Sequence, residues 1–144
     1  MARPSPDPDR LDRFVEAQNG TYGIALAELR QGRKQSHWMW FIFPQLRGLG
    51  RSAMSHLYGI ADLDEARRYL AHPVLGPRLI ACAEAVLAHG NLPADRILGG
   101  IDAGKLRSSA TLFAAVEEAP PVFRRILDTF YGGRSCPVTL DRMS

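Results

Sequence analysis

Apolar side chains recur at helical spacing along most of the chain. The clearest repeat lies near the C-terminus, where the positions i, i+3, i+4 and i+7 are Phe123, Ile126, Leu127 and Phe130. Almost no stretch alternates between apolar and polar residues, and β-branched residues are sparse. Because a period near 3.6 is typical of helices and a period of two is typical of strands, the pattern predicts an all-α fold, a compact single-domain bundle of six to eight short helices.

Capping and helix-breaking residues indicate where these helices begin and end. Thr21, Ser52 and Asp102 each stand before an apolar repeat and are expected to be N-caps. Gly32 follows the second repeat and is expected to end that helix. No repeat is visible from Gly132 onwards, so we expect an irregular tail.

The first ten residues differ in composition from the rest. They hold three prolines and no large apolar residue beyond Met1, which predicts a flexible arm over residues 1–10 and a single helical domain over residues 11–144. This opening has no apolar signal-peptide core, and no apolar run approaches the roughly 18 residues of a membrane span. We therefore expect a soluble, cytoplasmic protein that does not interact with a membrane.

The charged and metal-binding residue types exclude several classes of function. A net charge of +3 with dispersed arginines gives no clustered basic face, so nucleic-acid binding ranks third among the possible functions. Cys82 and Cys136 are far apart, and no histidine pair has the spacing of metal ligands. We expect Cys82 to be a buried free thiol, and we expect neither a metal site nor a cofactor.

The stretch SHWMWFIFPQL, residues 36–46, is the most unusual in the chain. It contains both tryptophans, Trp38 and Trp40, inside six consecutive apolar residues, and His37 and Gln45 stand at its two ends. Two interpretations are open: a core segment with satisfied polar ends, or the wall of a binding site. Its length does not distinguish a buried strand from a buried helical turn.

Lysine is confined to the neighbourhood of two unusual motifs. Of the 18 basic residues 16 are arginine, and the two lysines are Lys34, next to the aromatic stretch, and Lys105, in GGIDAGKLRSSATLF. The second motif has the spacing G-x-x-x-x-G-K, but Leu106 replaces the serine or threonine of a phosphate-binding loop and no convincing strand precedes it. We reject a P-loop and expect polar residues of this helix to line a pocket or to bond back to preceding carbonyls.

The turn RGLGRS, residues 47–52, is a further candidate. Its two glycines before a helix N-terminus, flanked by Arg47 and Arg51, suit an anion because the first amides of a helix are free and the helix dipole favours negative charge there. A plain loop with a capping serine is the alternative.

Five internal segments and the C-terminal helix together resemble one known family. The strings FVEAQ, GRKQSHWMWFIFPQLRGLGRS, YGI, EARRYLAHPVLGPRL, DAGKLRSSATLF and VFRRILDTFYGG closely resemble the bacterial domain-of-unknown-function family numbered 1810. This resemblance implies a small, mainly helical, single-domain fold and no established activity. The polar and aromatic residues at its motif positions are Lys34, His37, Trp38, Trp40, Gln45, Tyr58, His72, Asp102, Lys105, Ser108, Thr111 and Phe113.

Our leading hypothesis places the aromatic stretch and the helix after Asp102 on opposite sides of a small pocket. Lysine and arginine side chains would bind an anionic group, and a tryptophan would stack on a flat part of the ligand. His37, with Asp102 or Ser108, is the acid–base candidate. A nucleotide-derived or NAD/ADP-ribose-type metabolite suits these groups. The ligand-binding set is Lys34, Trp38, Trp40, Gln45, Arg47, Tyr58, Lys105 and Thr111.

The rival hypothesis is a non-enzymatic module. In it the same residues form a rigid core, and an exposed surface binds a protein partner or a small regulator. The sequence leaves both hypotheses open, and it leaves the oligomeric state open as well.

Overall fold

The structure, a computed structural model, describes residues 10–143, and ten helices account for most of that range. In chain order they are α1 (Asp12–Gln18), α2 (Tyr22–Gln31), α3 (Met39–Ile42), α4 (Ala53–Leu57), α5 (Leu63–Ala71), α6 (Leu75–Leu87), α7 (Ala94–Leu98), α8 (Gly100–Ala114), α9 (Pro121–Tyr131) and α10 (Pro137–Met143). The all-α prediction is confirmed. The two helices beyond the eight expected are α3, a single turn, and α10.

The predicted helix ends are partly right. Ser52 caps α4, since its hydroxyl accepts the Ser55 amide at 3.1 Å, and α2 ends at Gly32 in the left-handed conformation. The prediction for Asp102 is wrong, because α8 begins at Gly100 and its N-cap is Gly99. The irregular tail is also wrong, because α10 forms there. The predicted arm lies outside the described residues, apart from Arg10.

Helix α8 begins at the surface and ends in the core. Gly100, Ile101 and Gly104 in its first half are exposed, whereas residues 108–113 are all buried. Helices α5, α7, α9 and α10 pack against it. A helix that neighbours cover all round is apolar on every side, so the polar Ser108, Ser109 and Thr111 need hydrogen-bond partners inside the protein.

Aromatic rings connect four helices through the core. The ring of Tyr69 lies 5.1 Å from Phe14 and 5.4 Å from Phe113, and Phe113 lies 5.5 Å from Phe123, measured between centroids. These residues belong to α1, α5, α8 and α9. Ring pairs at such distances add to the hydrophobic gain of burial, so the C-terminal half of α8 is held on several sides.

The aromatic stretch forms one helical turn and then an extended connection. Helix α3 covers Met39–Ile42, and among residues 10–143 the strand-like pairing is a single parallel bridge between Leu46 and Ile60. The amide of Ile60 donates to the carbonyl of Gln45 at 2.9 Å, and the amide of Arg47 donates to the carbonyl of Ile60 at 2.7 Å. These two bonds fix the backbone of Gln45 next to α4.

Candidate functional site

The loop after α2 brings Lys34 to the start of α8. Gly32 turns the chain in a left-handed conformation, and a Cβ there would lie 3.0 Å from the His89 imidazole. The amide of Lys34 then donates to the carbonyl of Ile97 at 2.7 Å. Since Ile97 belongs to α7 and α8 follows directly, this bond places the Lys34 side chain beside the first turn of α8.

Two lysines share one carboxylate at this point. Lys34 Nζ lies 2.9 Å from Asp102 Oδ2, and Lys105 Nζ lies 3.5 Å from Asp102 Oδ1. The exposed fractions of the three side chains are 10% for Lys34, 18% for Asp102 and 24% for Lys105. Two positive charges against one negative charge leave the cluster with a net charge of +1. We call these three residues the lysine cluster.

The lysine cluster lines an open groove with a volume of 430 Å³. The exposed His37 contributes to its wall, and the backbone of Gly99 and Gly100 forms the end of the groove at the N-terminus of α8. No side chain caps this N-terminus. Because the first amides of a helix have no intrahelical acceptor, they and the helix dipole add positive potential to that of the lysines.

Trp38 belongs to the core and not to the groove. It is fully buried, and its indole N–H donates to Glu28 Oε1 at 3.0 Å. The same carboxylate accepts the amides of Gln35 and Ser36 and the Ser36 hydroxyl, at 2.6 to 2.9 Å. Burial alone would raise the pKa of Glu28, but these hydrogen bonds lower the pKa to about 2. Glu28 therefore holds the backbone of residues 35–36 and the Trp38 ring in place just before α3 begins at Met39.

Behind Lys105 lies a second, smaller and partly open space, which we call the aromatic chamber. Its lining comprises Met39, Trp40, Phe43, Gln45, Ser55, Tyr58 and Lys105. Its volume of 10 Å³ is room for about one water molecule. The ammonium group of Lys105 stands 4.7 Å from the centroid of the Trp40 ring, within cation–π range. Lys105 therefore separates the chamber from the groove.

Several predicted site residues lie elsewhere. The Ser108 hydroxyl donates to the carbonyl of Gly104 at 3.2 Å and contacts the sulfur of Cys136 at 3.4 Å. The Thr111 hydroxyl donates to the carbonyl of Arg107 and accepts the amide of Cys136. Both therefore face the segment that leads into α10. They line neither the groove nor the chamber, so the structure does not bring them together with His37.

The glycine turn at residues 47–52 packs against the protein's own side chains. A Cβ at Gly48 would collide with the guanidinium of Arg142, and a Cβ at Gly50 would lie 2.8 Å from the Ser55 hydroxyl. Arg47 lines neither cavity. The close packing accounts for the two glycines of the motif without an anion, and α4 with its five residues is capped by its own serine.

Glu28 is the residue that sequence reasoning missed. It fixes residues 35–38 through four hydrogen bonds and so positions the aromatic stretch beside the lysine cluster. One signal was available. A buried tryptophan requires an acceptor for its N–H, and Glu28 stands one position before the apolar Leu29 and three after Ala25, on the side of α2 that faces the core.

Metal sites and membrane-spanning helices have a geometry and a length with which residues 10–143 can be compared. No three His, Cys, Asp or Glu side chains in this range come together as a metal site would need. No single helix in the same range is long and apolar enough to cross a membrane; α5 and α6 meet that test only as a pair bent by 91°.

Comparisons with known proteins agree with this architecture. No curated protein matches the chain. The conserved hypothetical protein Rv1873 from Mycobacterium tuberculosis, known from a crystal structure, is 46% identical. The match covers 95% of this chain and 98% of that one, with a TM-score of 0.92. The model of a family described as a protein of unknown function (DUF1810) matches residues 8–143, and the chain belongs to this family.

Proposed function

We propose that the groove binds the anionic group of a small metabolite of the nucleotide or NAD/ADP-ribose type. The observation that carries this proposal is the lysine cluster, in which Lys34 and Lys105 share the single carboxylate of Asp102 beside the uncapped start of α8. Both cysteines are free thiols, which fits a protein of the reducing cytoplasm.

Unequal distances give the two lysines different tasks. Lys34 is held close to Asp102 at 2.9 Å, so it keeps the carboxylate in place. Lys105 is at 3.5 Å from the same carboxylate and has the more exposed side chain, so it can turn towards a phosphate or a carboxylate. The amides of Gly100 and Ile101 then offer hydrogen bonds to the same anion, as at other helix N-termini.

His37 remains the acid–base candidate in this proposal. Its exposed imidazole lines the same groove as Asp102 and Lys105. Asp102 lies between the two ammonium groups of Lys34 and Lys105, so we assign it the role of an electrostatic partner. We assign Ser108 no acid–base role beside His37, because its hydroxyl is bonded to Gly104 and Cys136.

A calorimetric titration with ADP-ribose, AMP and inorganic pyrophosphate tests the proposal. We expect binding that weakens with added salt and a loss of at least about tenfold in Lys105→Gln, since a charge-assisted bond contributes about 1.5–3 kcal/mol. Lys34→Gln should show a smaller loss, because the Lys34 charge acts on the anion without a direct bond. Arg125→Gln, which removes an exposed charge on α9, is the control and should bind normally. No binding of any of the three compounds, or equal binding by all three variants, would refute the proposal.

A protein-binding function is the second candidate, and one observation favours it. Ile101 is 81% exposed, and a Cβ added at Gly100 or Gly104 would meet nothing within 4 Å. Glycine inside a helix lowers stability, and packing within the described chain does not require these two. Gly104→Gln, at an exposed position that lines neither cavity, separates the candidates: it should leave the binding of ADP-ribose intact and abolish a complex that depends on this surface.

A further inference from the structure

Lys105 lines both the groove and the aromatic chamber, and the two cavities have no other lining residue in common. On the groove side its ammonium group is 3.5 Å from Asp102, and on the chamber side it stands over the Trp40 ring at 4.7 Å. A shift of this one side chain would therefore join the two spaces.

Three polar groups of the chamber have no partner in the described part of the protein. The side-chain amide of Gln45, the hydroxyl of Tyr58 and the indole N–H of Trp40 form no hydrogen bond with any of residues 10–143. By contrast, the indole N–H of Trp38 and the amide of Gln18 are bonded. None of these three groups is among the fully buried side-chain atoms that lack a partner, so each reaches solvent and can exchange a water molecule for a ligand group.

The chemistry of the lining defines what would fit. Gln45 offers a donor and an acceptor side by side, which match the edge of an amide, an imide or a similar planar group. Trp40, Phe43 and Tyr58 surround this amide with aromatic surface. No carboxylate lines the chamber, and its one charged residue, Lys105, is cationic. The chamber is therefore suited to a neutral planar group and disfavours a cation.

We propose that the aromatic chamber is a second subsite, which binds a neutral planar group with an amide-type edge through Gln45 once Lys105 has turned away to an anion in the groove. This inference rests on the proposed function of the groove. The volume of 10 Å³ admits no such group while Lys105 stands over Trp40. Displacement of Lys105 frees a space of about the size of its own side chain, which is comparable to a six-membered ring.

The decisive experiment compares ligands that share one anion. Ribose 5-phosphate carries the phosphate alone, whereas uridine 5′-monophosphate adds a neutral ring with an imide edge. We expect the wild-type protein to bind both, and to bind the nucleotide at least about tenfold more tightly, the value of one or two net hydrogen bonds with ring contacts. In Gln45→Leu the nucleotide should lose about tenfold in affinity and ribose 5-phosphate should be unaffected.

A matched variant and an optical signal accompany the titration. Gln35→Leu removes an exposed glutamine that lines neither cavity, and both ligands should bind it normally. Departure of Lys105 from the Trp40 ring should change tryptophan fluorescence with both ligands, and entry of the uracil ring should add a further change with the nucleotide. Trp40→Phe should abolish both changes, since Trp38 is fully buried.

The outcomes separate the two proposals. If neither compound binds, the function proposed for the groove fails, and the subsite fails with it. If both bind with equal affinity, or if Gln45→Leu leaves the nucleotide's advantage intact, the subsite is overturned while anion binding in the groove stands. A nucleotide advantage that disappears in Gln45→Leu but not in Gln35→Leu supports the subsite.

Discussion

Two of the ion-pair networks among residues 10–143 differ in how completely their charges are used. Arg13 and Glu65 pair at 3.0 Å with side chains that are 0% and 2% exposed. The Arg13 guanidinium also donates to the carbonyls of Leu57 and Gly59, and Glu65 accepts the amide of Ala61. This network joins α1, α5 and the end of α4, and its charges are balanced.

The lysine cluster has the opposite character. Its two cations share one carboxylate, its side chains are 10% to 24% exposed, and it opens into a groove. Burying a charge costs free energy unless its partners satisfy it completely. The Arg13–Glu65 pair, which is satisfied in this way, therefore has a structural role. Ion pairs that reach solvent contribute less to stability than fully buried ones, and the surplus charge of this cluster faces the groove that we propose as an anion site. Variants of the two networks should therefore differ in how much they lower the free energy of unfolding.

The largest effect is expected from breaking the buried pair. Arg13→Met leaves Glu65 charged and buried without its guanidinium, which should lower the free energy of unfolding by about 3–5 kcal/mol. Urea unfolding followed by circular dichroism measures this loss. Arg10→Met, which removes the exposed ion pair of Arg10 with Asp12, is the control and should cost less than about 1 kcal/mol. A loss below 1 kcal/mol in Arg13→Met would end the distinction between the networks.

The second effect concerns Glu28 and is seen as a pH dependence. Its pKa is about 2 in the folded protein and near 4.5 in the unfolded chain, so the folded state holds the carboxylate ionised. The stabilisation is complete above pH 4.5 and is lost as the pH falls towards 2. After a discount for solvent screening near the surface, we expect a loss of about 2 kcal/mol.

Unfolding measured from pH 6 to pH 2.5 tests this, with Glu28→Gln as the comparison. The glutamine cannot ionise and leaves the Trp38 N–H with a neutral acceptor, so this variant should be less stable at pH 6 and should lose less stability on acidification. If the free energy of unfolding fell in parallel for the two proteins as the pH was lowered, protonation of Glu28 would not be the cause of the loss.

The third prediction makes the corresponding change in the lysine cluster. Asp102→Asn removes the shared carboxylate of the lysine cluster and should change the free energy of unfolding by only about 1 kcal/mol. The same variant increases the net positive charge of the groove, so pyrophosphate should bind at least as tightly as it does to the wild type. A loss as large as that of Arg13→Met would make the cluster a structural pair like the other.

The sequence predicted the helices far better than the pairing of charges. Helical periodicity and caps such as Ser52 depend on residues a few positions apart, and Ser52 does serve as an N-cap. The juxtaposition of Lys34 and Lys105 with Asp102 could be proposed from motif positions alone. By contrast, Arg13 and Glu65 are 52 residues apart, and no local pattern distinguishes them from the exposed charges of α1 and α5.

Two residues of the predicted site lie away from the groove for a common physical reason. Ser108 and Thr111 are on the same helix as Lys105, and their spacing suggested shared pocket faces. Residue spacing alone does not say which neighbour covers each face of a helix. Here the segment before α10 covers the side with Ser108 and Thr111, and that segment lies in the tail that was expected to be irregular.

The prediction with the smallest expected effect concerns the position of Ser108 beside Cys136. It is tested through the reactivity of the two cysteines. Burial raises the pKa of the Cys82 thiol to about 12. Burial also acts to raise the pKa of Cys136, but hydrogen bonds from Ser108 and from nearby groups of α10 outweigh it and lower that pKa. Because the thiolate is the reactive form, iodoacetamide should modify Cys136 and spare Cys82 in the native protein.

Ser108→Ala should slow this modification and leave ligand binding in the groove unchanged. Ser109→Ala is the matched control, since the buried Ser109 hydroxyl has no hydrogen-bond partner and its removal should leave the rate unaltered. The rate of modification is followed by mass spectrometry. Equal rates in the two serine variants would show that Ser108 does not act on Cys136 and would return Ser108 to the candidates for the groove.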